Sequence, residues 1–351
     1  MHVTLKDVCK KTGFSTATVS RVLNGSPLVT EDTKRRVLAV VEDLGYQPSH
    51  TARMLKLKRT DMLAVVFPPL DVGFFTEVLR GIDAATSEHN YHMMTAFSHG
   101  PEDERKLINR VIRERRADAL ILMNLTLPEN YLRGLARYGM PITLIDRPMA
   151  RSKMASVSLD NRTGARAATV HLLDHGHRNI AFITGPKGTY DADERLAAFQ
   201  ETMQERNCPV DRQLIWPGRF TEPSGREALA RWLDGGGDLP DAIFAANDAM
   251  AIGALGVLRE RGYDVPRDTA LVGFDDIESA RYLGITTVHV PMRELGAKSA
   301  QVAIQQVTRH QTGIAHRLPT ELVVRASCGT HTGNAAPRAQ AVSTRSRNIP
   351  T

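Results

Sequence analysis

The sequence predicts an α + α/β fold, with a small helical head at the N-terminus followed by two lobes that each contain a doubly wound parallel sheet. Two observations support this prediction. Three short helical segments with glycine-containing turns fill the first 46 residues, and from Met62 onwards apolar strand segments alternate with helical segments in two successive series. Such alternation is typical of parallel sheets that carry helices on both faces. Two such sheets predict a cleft at the carboxyl ends of their strands.

Charge separates the head from the rest of the chain. The 351 residues carry a formal net charge of +6, and residues 1–60 contain 11 Lys and Arg against 5 Asp and Glu. The remaining residues carry equal numbers of acidic and basic side chains, so all the excess positive charge belongs to the first sixth of the chain. This distribution indicates a small polyanion-binding head on a neutral body, whereas a basic solvated face without a partner is the alternative that charge alone leaves open.

Composition and motifs disfavour several classes of protein. The chain has no run of about 18 apolar residues and no apolar export signal, so we expect a cytoplasmic, nucleoid-associated protein without a membrane partner. The three cysteines, Cys9, Cys208 and Cys328, are far apart and form no metal-binding pattern. There is no glycine-rich phosphate loop, GxSxG elbow or HExxH motif, so we expect no cofactor, no metal and no enzymatic activity.

Each helix predicted in the head begins at a hydroxyl side chain. The three ranges are 4–12, 15–24 and 30–45, with Thr4, Ser15 and Thr30 as candidate N-caps. Thr4 and Asp7 resemble a capping box. The third helix is predicted to bury an apolar stripe formed by Val37, Leu38, Val41 and Leu44. Three short helices with a glycine in the first turn are typical of a helix-turn-helix domain.

The second of these helices, in the stretch STATVSRVLNGS, is unusually rich in small hydroxyl side chains. Ser and Thr are mediocre helix formers, so helix stability alone does not account for them. In a helix-turn-helix domain this helix enters the DNA major groove by its N-terminal end. Short side chains such as Thr16 and Ala17 let the backbone approach the bases, and Arg21 can reach guanine O6 and N7. A small-residue packing face against a neighbouring helix is the alternative.

Residues 47–60 are predicted to be a linker with a short hinge helix. Pro48 and Ser49 provide a helix-start signal, but about two turns of helix are too short to be stable alone. A segment that folds only under some condition suits a switch.

The body is predicted from its alternating pattern. Strands are predicted at 62–67, 91–97, 117–123, 142–146, 179–185, 242–247 and 269–276. Helices are predicted at 75–89, 101–115, 129–138, 162–175, 192–206, 223–234 and 248–262. The polar segment from about His331 is predicted to be a disordered tail.

With these motifs in view, the chain resembles the lactose-repressor (LacI/GalR) family of bacterial transcription regulators. The resemblance rests on the head sequence TLKDVCKKTGFSTATVSRVLNGS and on the body segments LIDR (144–147), VSLDN (157–161), HLLDHGHRNIAFITGP (171–186), AANDAMAIGAL (245–255) and LVGFDDIESA (271–280). It implies a head, a hinge helix and a core of periplasmic-binding-protein type whose two lobes are joined by three crossovers. The implied domains are 1–46 (helix-turn-helix head), 47–60 (hinge), 61–158 with 291–317 (first lobe), 159–290 with 318–330 (second lobe) and 331–351 (tail).

The resemblance also implies a homodimer that binds double-stranded DNA at a pseudo-palindromic operator. Thr16, Ala17 and Arg21 match base-reading positions, and Leu55 matches a leucine that wedges between the central base pairs. An ordinary apolar contact to the dimer mate is the alternative for Leu55. The DNA-binding set predicted on this basis is Thr4, Ser15, Thr16, Ala17, Thr18, Ser20, Arg21, Asn24, Thr33, Tyr46, Ala52, Arg53, Leu55 and Lys56.

A small-molecule effector, most simply a sugar or sugar derivative, is expected in the cleft. Carboxylates, amides and an arginine bind hydroxyls, and aromatic rings pack on an apolar sugar face. The predicted effector-binding set, which matches family ligand positions, is Phe74, Phe75, Asp146, Arg195, Phe220, Asn247 and Asp275. Helix capping and salt bridges between the lobes are the alternatives for the polar members, and packing for the rings. Asp248 is expected to be an N-cap. Asp191 and Asp193 are expected to be solvated, with a contribution to the site as the alternative.

Other functions stay open at this point. A purine- or nucleoside-responsive regulator is the main alternative, but a purine-responsive member of the family carries an arginine at the position of Thr189. A solute-binding protein without a regulatory role would have no use for the basic head. We expect the ligand to alter operator affinity by favouring one arrangement of the lobes, with a coupling of about 1–3 kcal/mol.

Overall fold

The computed structural model describes residues 3–46, 59–68, 73–123, 127–149 and 151–329. The chain forms two compact units that meet in sequence between Asp61 and Met62. The predicted hinge contacts Ala52, Arg53, Leu55 and Lys56 lie outside the described residues, as does the predicted tail 331–351.

The head contains three helices, α1 (Leu5–Thr12), α2 (Thr16–Leu23) and α3 (Glu31–Asp43). The predicted N-caps are confirmed. Thr4 and Asp7 form a capping box, while the hydroxyls of Ser15 and Thr30 accept the backbone N–H groups of Thr18 and Thr33. A small core of Val8, Val19, Val22 and Val37 joins the three helices.

One predicted core position in the head is wrong. Leu38 is 43% exposed, while its neighbours Val37, Val40 and Val41 face the core. The 3.6-residue period explains the difference, since Val37, Val40, Val41 and Leu44 follow the i, i+3, i+4, i+7 spacing of one helix face and Leu38 lies to the side.

The second unit is built from parallel sheets covered by helices. Its strands are β1 (Met62–Phe67), β2 (His92–Phe97), β3 (Ala119–Met123), β4 (Ile142–Ile145), β5 (Ala155–Leu159), β6 (Ile180–Ile183), β7 (Ile215–Trp216), β8 (Ala242–Ala245), β9 (Ala270–Val272), β10 (Thr287–His289), β11 (Ala315–Leu318) and β12 (Glu321–Val323). Its helices are α4 (Phe74–Glu88), α5 (Pro101–Glu114), α6 (Glu129–Leu135), α7 (Asn161–Asp174), α8 (Tyr190–Glu205), α9 (Glu222–Asp234), α10 (Asp248–Glu260), α11 (Glu278–Tyr282) and α12 (Met292–Arg309).

Two sheets organise these elements. The first has the strand order β11-β5-β4-β3-β1-β2 and the second β7-β6-β8-β9, and all pairs within them are parallel. Side chains alternate across each strand, so Leu63 and Val65 of β1 belong to one apolar cluster while Ala64 and Val66 pack with Ile108 of α5 in another. Both faces of the first sheet are therefore buried, as the near-continuous apolar strand sequences predicted.

The chain passes between the two lobes three times. It leaves the first sheet after β5, returns through α12 after β10, and leaves again after β11, which pairs with β5. The short strand β12 then pairs antiparallel with β10. The alternation pattern missed β5, because ASVSL lacks the long apolar run that marks the neighbouring strands.

Helix α12 approaches α4 so closely that both helices need glycine at the contact. A Cβ atom on Gly81 would lie 2.0 Å from the carbonyl oxygen of Arg293, and one on Gly296 would lie 2.0 Å from the carbonyl oxygen of Val78. Backbone atoms cannot yield as a flexible side chain can. This glycine pair therefore sets the distance at which the returning helix packs on the first lobe.

We expect Gly81→Ala to destabilise the chain by about 1–3 kcal/mol, because the added methyl group forces α4 and α12 apart. Gly134→Ala is the matched control. A Cβ on Gly134, inside α6, would meet no atom within 4 Å, so this change should be neutral or stabilising by about 0.5–1 kcal/mol. Urea unfolding followed by circular dichroism measures both, and equal stability of the two variants would contradict the close contact.

A buried carboxyl ties the second sheet to the loop that follows β9. Asp248 is the first residue of α10 and is fully buried. Its two oxygens accept the Ile277 backbone N–H at 2.9 Å and the Thr287 hydroxyl at 2.5 Å. The expected N-cap role is wrong, because Asn247 caps the helix by accepting the Met250 N–H. Burial raises the pKa of Asp248 to about 7.

This raised pKa predicts a pH dependence of stability. The folded state holds a proton on Asp248 below about pH 7, whereas the unfolded chain loses it near its ordinary value of 3.8. The contribution of Asp248 to the free energy of unfolding is therefore complete below about pH 4 and is lost as the pH rises to about 7. The free energy of unfolding falls in this range by up to about 1.4 kcal/mol per pH unit.

Asp248→Asn should remove this slope, because the amide can still accept from Ile277 and donate to Thr287. Urea unfolding between pH 4 and 8 compares it with the wild type and with Asp238→Asn, a change at an exposed aspartate. Parallel curves for wild type and Asp248→Asn would show that Asp248 keeps its ordinary pKa.

Candidate nucleic-acid interface and ligand cavity

Helix α2 presents the side chains at its N-terminal end to solvent. Thr16, Ala17 and Arg21 are exposed, while Val19 and Val22 of the same helix are buried in the head core. Within the described part of the head, Arg21 forms no ion pair. The exposed face thus combines two short side chains with one cation that is available to a partner, as base reading in the major groove requires.

The other candidate contacts are ordered by local hydrogen bonds. The hydroxyl of Ser15 lies 3.0 Å from that of Thr18, and the Asn24 amide donates to the backbone carbonyl of Ser20 at 2.7 Å. The hydroxyl of Thr33 lies 2.9 Å from that of Thr30. Two further candidates serve the head itself: the Thr4 hydroxyl donates to Asp7 in the capping box, and Tyr46 packs half-buried against the core.

All seven residues of the predicted effector-binding set line one cavity of about 240 Å³ in the second unit. These are Phe74, Phe75, Asp146, Arg195, Phe220, Asn247 and Asp275. The remaining lining residues are Pro68, Met123, Asp191, Arg219, Thr221, Ala249 and Ile277. Side chains from both sheets contribute, so the cavity lies between the lobes at the carboxyl ends of their strands.

Arg195 is the centre of the polar wall. It lies one turn into α8 and is 3% exposed. Its Nε donates to the Asn161 side-chain oxygen at 2.9 Å, and its Nη1 donates to the Ala246 carbonyl at 2.7 Å and lies 3.5 Å from Asp275 Oδ1. The guanidinium also stacks 3.8 Å from the Phe274 ring centre. A buried cation held from so many sides is fixed in one orientation.

Asp146 follows β4 and turns into the cavity through a backbone φ of +47°. Its carboxylate accepts the Leu159 N–H at 2.9 Å and the Asn161 amide at 3.2 Å. Burial, together with the neighbouring charge of Asp191, raises the pKa of Asp146 to about 6.

Asp275 follows β9 with a φ of +115°, and its side chain is buried. Within the described residues, Oδ1 accepts no hydrogen bond, although it lies 3.5 Å from Arg195 Nη1. Burial raises the pKa of Asp275 well above its ordinary value, and the Arg195 charge acts in the opposite direction. A buried acceptor without a donor costs free energy, so a ligand that donates to Oδ1 gains from it.

Three phenylalanine rings form the apolar wall. Phe74 and Phe75 pack edge to face with ring centres 5.4 Å apart, and Phe75 also contacts Phe67. Phe220 adopts a φ of +61°, and its carbonyl accepts the Asn247 amide at 3.0 Å. Its ring covers Gly185, where a Cβ would lie 2.2 Å from the ring. Asn247 therefore has two functions: its amide N–H positions a cavity ring through the Phe220 carbonyl, and its side-chain oxygen caps α10.

Asp191 is a cavity residue outside the predicted effector-binding set. It was expected to be solvated, but it is buried and lines the cavity, while Asp193 is exposed. The available signal was spacing, because Asp191 precedes Arg195 by four residues in the same helix and so faces the same side. Arg219 and Thr221, on either side of Phe220, were also missed.

The described residues offer neither a metal site nor a membrane-spanning helix. No group of three or more His, Cys, Asp or Glu side chains there could hold a metal ion. No described helix is long and apolar enough to cross a membrane.

Known protein families and relatives match most of this chain. Residues 4–49 match the family model for bacterial regulatory proteins, lacI family, and residues 169–328 match that for a periplasmic binding protein-like domain. The regulator GalR of Salmonella typhimurium is 32% identical over 94% of this chain and 97% of its own length. The repressor PurR of Photorhabdus laumondii is 32% identical over 87% of this chain and 90% of its own.

Solved structures of two similar regulators superpose on most of this chain. The lac repressor dimer bound to operator and the anti-inducer ONPF superposes with a TM-score of 0.84 at 26% identity, covering 94% of this chain and all of that one. The complex of the regulator CelR with cellobiose superposes with a TM-score of 0.71 at 31% identity, covering 93% and 100%. Since relatives above 30% identity span nearly the whole chain, the chain belongs to the lacI family of bacterial regulatory proteins.

Proposed function

We propose that this chain is a homodimeric transcription repressor that binds operator DNA through its head and responds to a sugar or sugar derivative in the interlobe cavity. It catalyses no reaction in this proposal. The observation that carries the ligand assignment is the buried Asp275 Oδ1, which lacks a hydrogen-bond donor among the described residues and lies beside an apolar wall of phenylalanines.

The chemistry of the cavity fits a polyhydroxylated ring. Carboxylate oxygens are acceptors only, so Asp275 Oδ1, which accepts no hydrogen bond within the described residues, requires a donor, and a hydroxyl group supplies one. The rings of Phe74, Phe75 and Phe220 offer a surface for the apolar face of a sugar. The solved structure of the regulator CelR is a complex with cellobiose, which supports the same ligand class here.

A purine ligand is the second candidate, because PurR proteins are among the relatives. Thr189 argues against it. This residue, where a purine-responsive member of the family has arginine, is buried and donates its hydroxyl to the Pro186 carbonyl at 2.8 Å. The purine-reading cation is therefore missing from this position.

Regulation follows from the location of the cavity. Phe74 and Asp146 come from the first lobe, and Arg195 and Asp275 come from the second. A ligand that contacts both lobes stabilises the arrangement in which all its contacts form, and this preference shifts the population of DNA-binding states.

We expect monosaccharides or disaccharides, and not nucleosides or purine bases, to raise the thermal midpoint of the full chain. A ligand at about 100 times its Kd adds about 2.7 kcal/mol to the free energy of unfolding. Asp275→Asn should weaken sugar binding by about tenfold or more, because the amide replaces an acceptor with a donor. Calorimetric titration measures the affinity.

Asp193→Asn, at an exposed carboxylate of the same helix, is the control and should bind like the wild type. Full sugar response in Asp275→Asn would refute the assigned role of Asp275. A midpoint shift with purines alone would replace the sugar proposal by the second candidate.

Arg21 is expected to read bases. After selection of bound sequences from a random duplex library, Arg21→Ala should lose about 1–3 kcal/mol of affinity for the selected operator and tolerate more sequences at one position in each half-site. Arg35→Ala, an exposed arginine on α3, is the control. Fluorescence anisotropy measures both, and equal losses for the two variants would assign Arg21 a role in general charge only.

A further inference from the structure

The edge of the first sheet where its strands begin collects basic side chains. All six strands are parallel, so their N-terminal ends lie together, and the helices between them end at the same edge. Strand β1 starts there at Met62, one residue after the head unit ends. The polypeptide that comes from the DNA-binding head therefore enters the second unit at this edge.

Two arginines at this edge share one tyrosine. Arg137 donates to the Tyr138 hydroxyl at 3.1 Å, and its guanidinium lies 5.0 Å from the ring centre. Arg113, at the end of α5, lies close enough to act on the same side chain, and both cations lower the pKa of the Tyr138 phenol. Arg113 and Arg137 are exposed, so two guanidiniums from different elements stand side by side in solvent.

The same surface continues across the sheet. The residues after Tyr138, Gly139 and Met140, line a shallow cavity of about 200 Å³ together with Lys153 and His310. Lys153 precedes β5, and His310 follows α12; both are exposed. We call this surface the basic edge, and it consists of Arg113, Arg115, Arg137, Lys153 and His310.

Acids lie at this edge too, since Asp118 precedes β3, but among the described residues they form no ion pair with the cations of the basic edge. Across the described ranges, Arg113, Arg115, Arg137 and Lys153 form no ion pair with a carboxylate, and the nearby Glu114 is paired with Arg116. Surface arginines of the second lobe are often paired instead, as Arg162, Arg206 and Arg226 are with Glu201, Asp174 and Glu260. Residues 61–351 carry equal numbers of acidic and basic residues, so the edge is a local excess.

We propose that the basic edge binds the phosphate backbone of DNA. This inference rests on the proposed DNA-binding function. Cations at helix C-termini also stabilise helix dipoles, which would account for Arg113 and Arg115 alone. Lys153 and Arg137 lie outside the last turns of long helices. Arg113, Arg137 and Lys153 precede the neighbouring strands β3, β4 and β5, so they follow one another along the sheet edge, as the phosphates of an extended polyanion do.

The test compares three full-length proteins on a 40-base-pair duplex of random sequence. The edge variant is Arg113→Ala/Arg137→Ala/Lys153→Ala. The control variant is Lys187→Ala/Arg212→Ala/Arg259→Ala, which removes the same charge from exposed positions of the second lobe. Affinity is measured by fluorescence anisotropy over a salt series, and thermal midpoints report whether each variant is folded. If the edge variant is unfolded, the corresponding triple glutamine variant replaces it.

Each phosphate contact contributes about 0.9 to the slope of log K against log salt. The edge variant should therefore lose about 2–3 from this slope for each protomer whose edge contacts the duplex, and about tenfold or more in affinity at low salt, while the control variant keeps the wild-type values. Equal losses in both variants, or no loss in the edge variant, would overturn the inference and leave the proposed function standing. A wild-type chain without salt-dependent DNA binding would overturn the proposed function itself.

Discussion

The buried guanidinium of Arg195 is the interaction on which the cavity depends. An unpaired charge at this depth would be prohibitively costly, so the surrounding chain must supply partners. It does so from three directions, through Asp275 after β9, the Ala246 carbonyl after β8 and the side chain of Asn161 at the start of α7. Asn161 also donates to Asp146 of the first lobe. One polar network thus crosses from lobe to lobe, and any movement of the lobes must break or rearrange it.

Backbone strain accompanies this network. Asp146, Phe220, Asp275 and Asp276 all have positive φ, although none is glycine. Such conformations cost about 1–3 kcal/mol each and persist only where the surroundings determine them. Three of the four line the cavity. The fourth, Asp276, is held on the other side of the loop by Arg325 and by His289 at 3.0 Å. The sharp turn thus points adjacent carboxylates in different directions, one towards the ligand space and one into the scaffold.

Local signals in the sequence were sufficient for much of the fold. The caps at Thr4, Ser15 and Thr30 were predictable because capping acts over three residues, and most strands were predictable because buried parallel strands are continuously apolar. The cavity set followed from family resemblance and from the rule that ligands meet strand ends. The burial of single polar residues was harder to predict. Asp191 and Asp193 are both aspartates in the first turn of α8, and only the packing of this helix decides which of them enters the cavity. The role of Asp248 depends on Thr287, 39 residues away in the chain. No local pattern contains such a partner.

The two recognition surfaces use electrostatics in opposite ways. In the cavity the charges are few, buried and fixed by one another, so each hydrogen bond is made in a low-dielectric space where counterions do not enter. On the head, which is the second surface, the charges are exposed, and binding to DNA phosphates releases counterions. Ionic strength should therefore act strongly on DNA affinity and weakly on ligand affinity. A regulator built this way can keep its ligand threshold while the salt concentration sets how tightly it holds DNA.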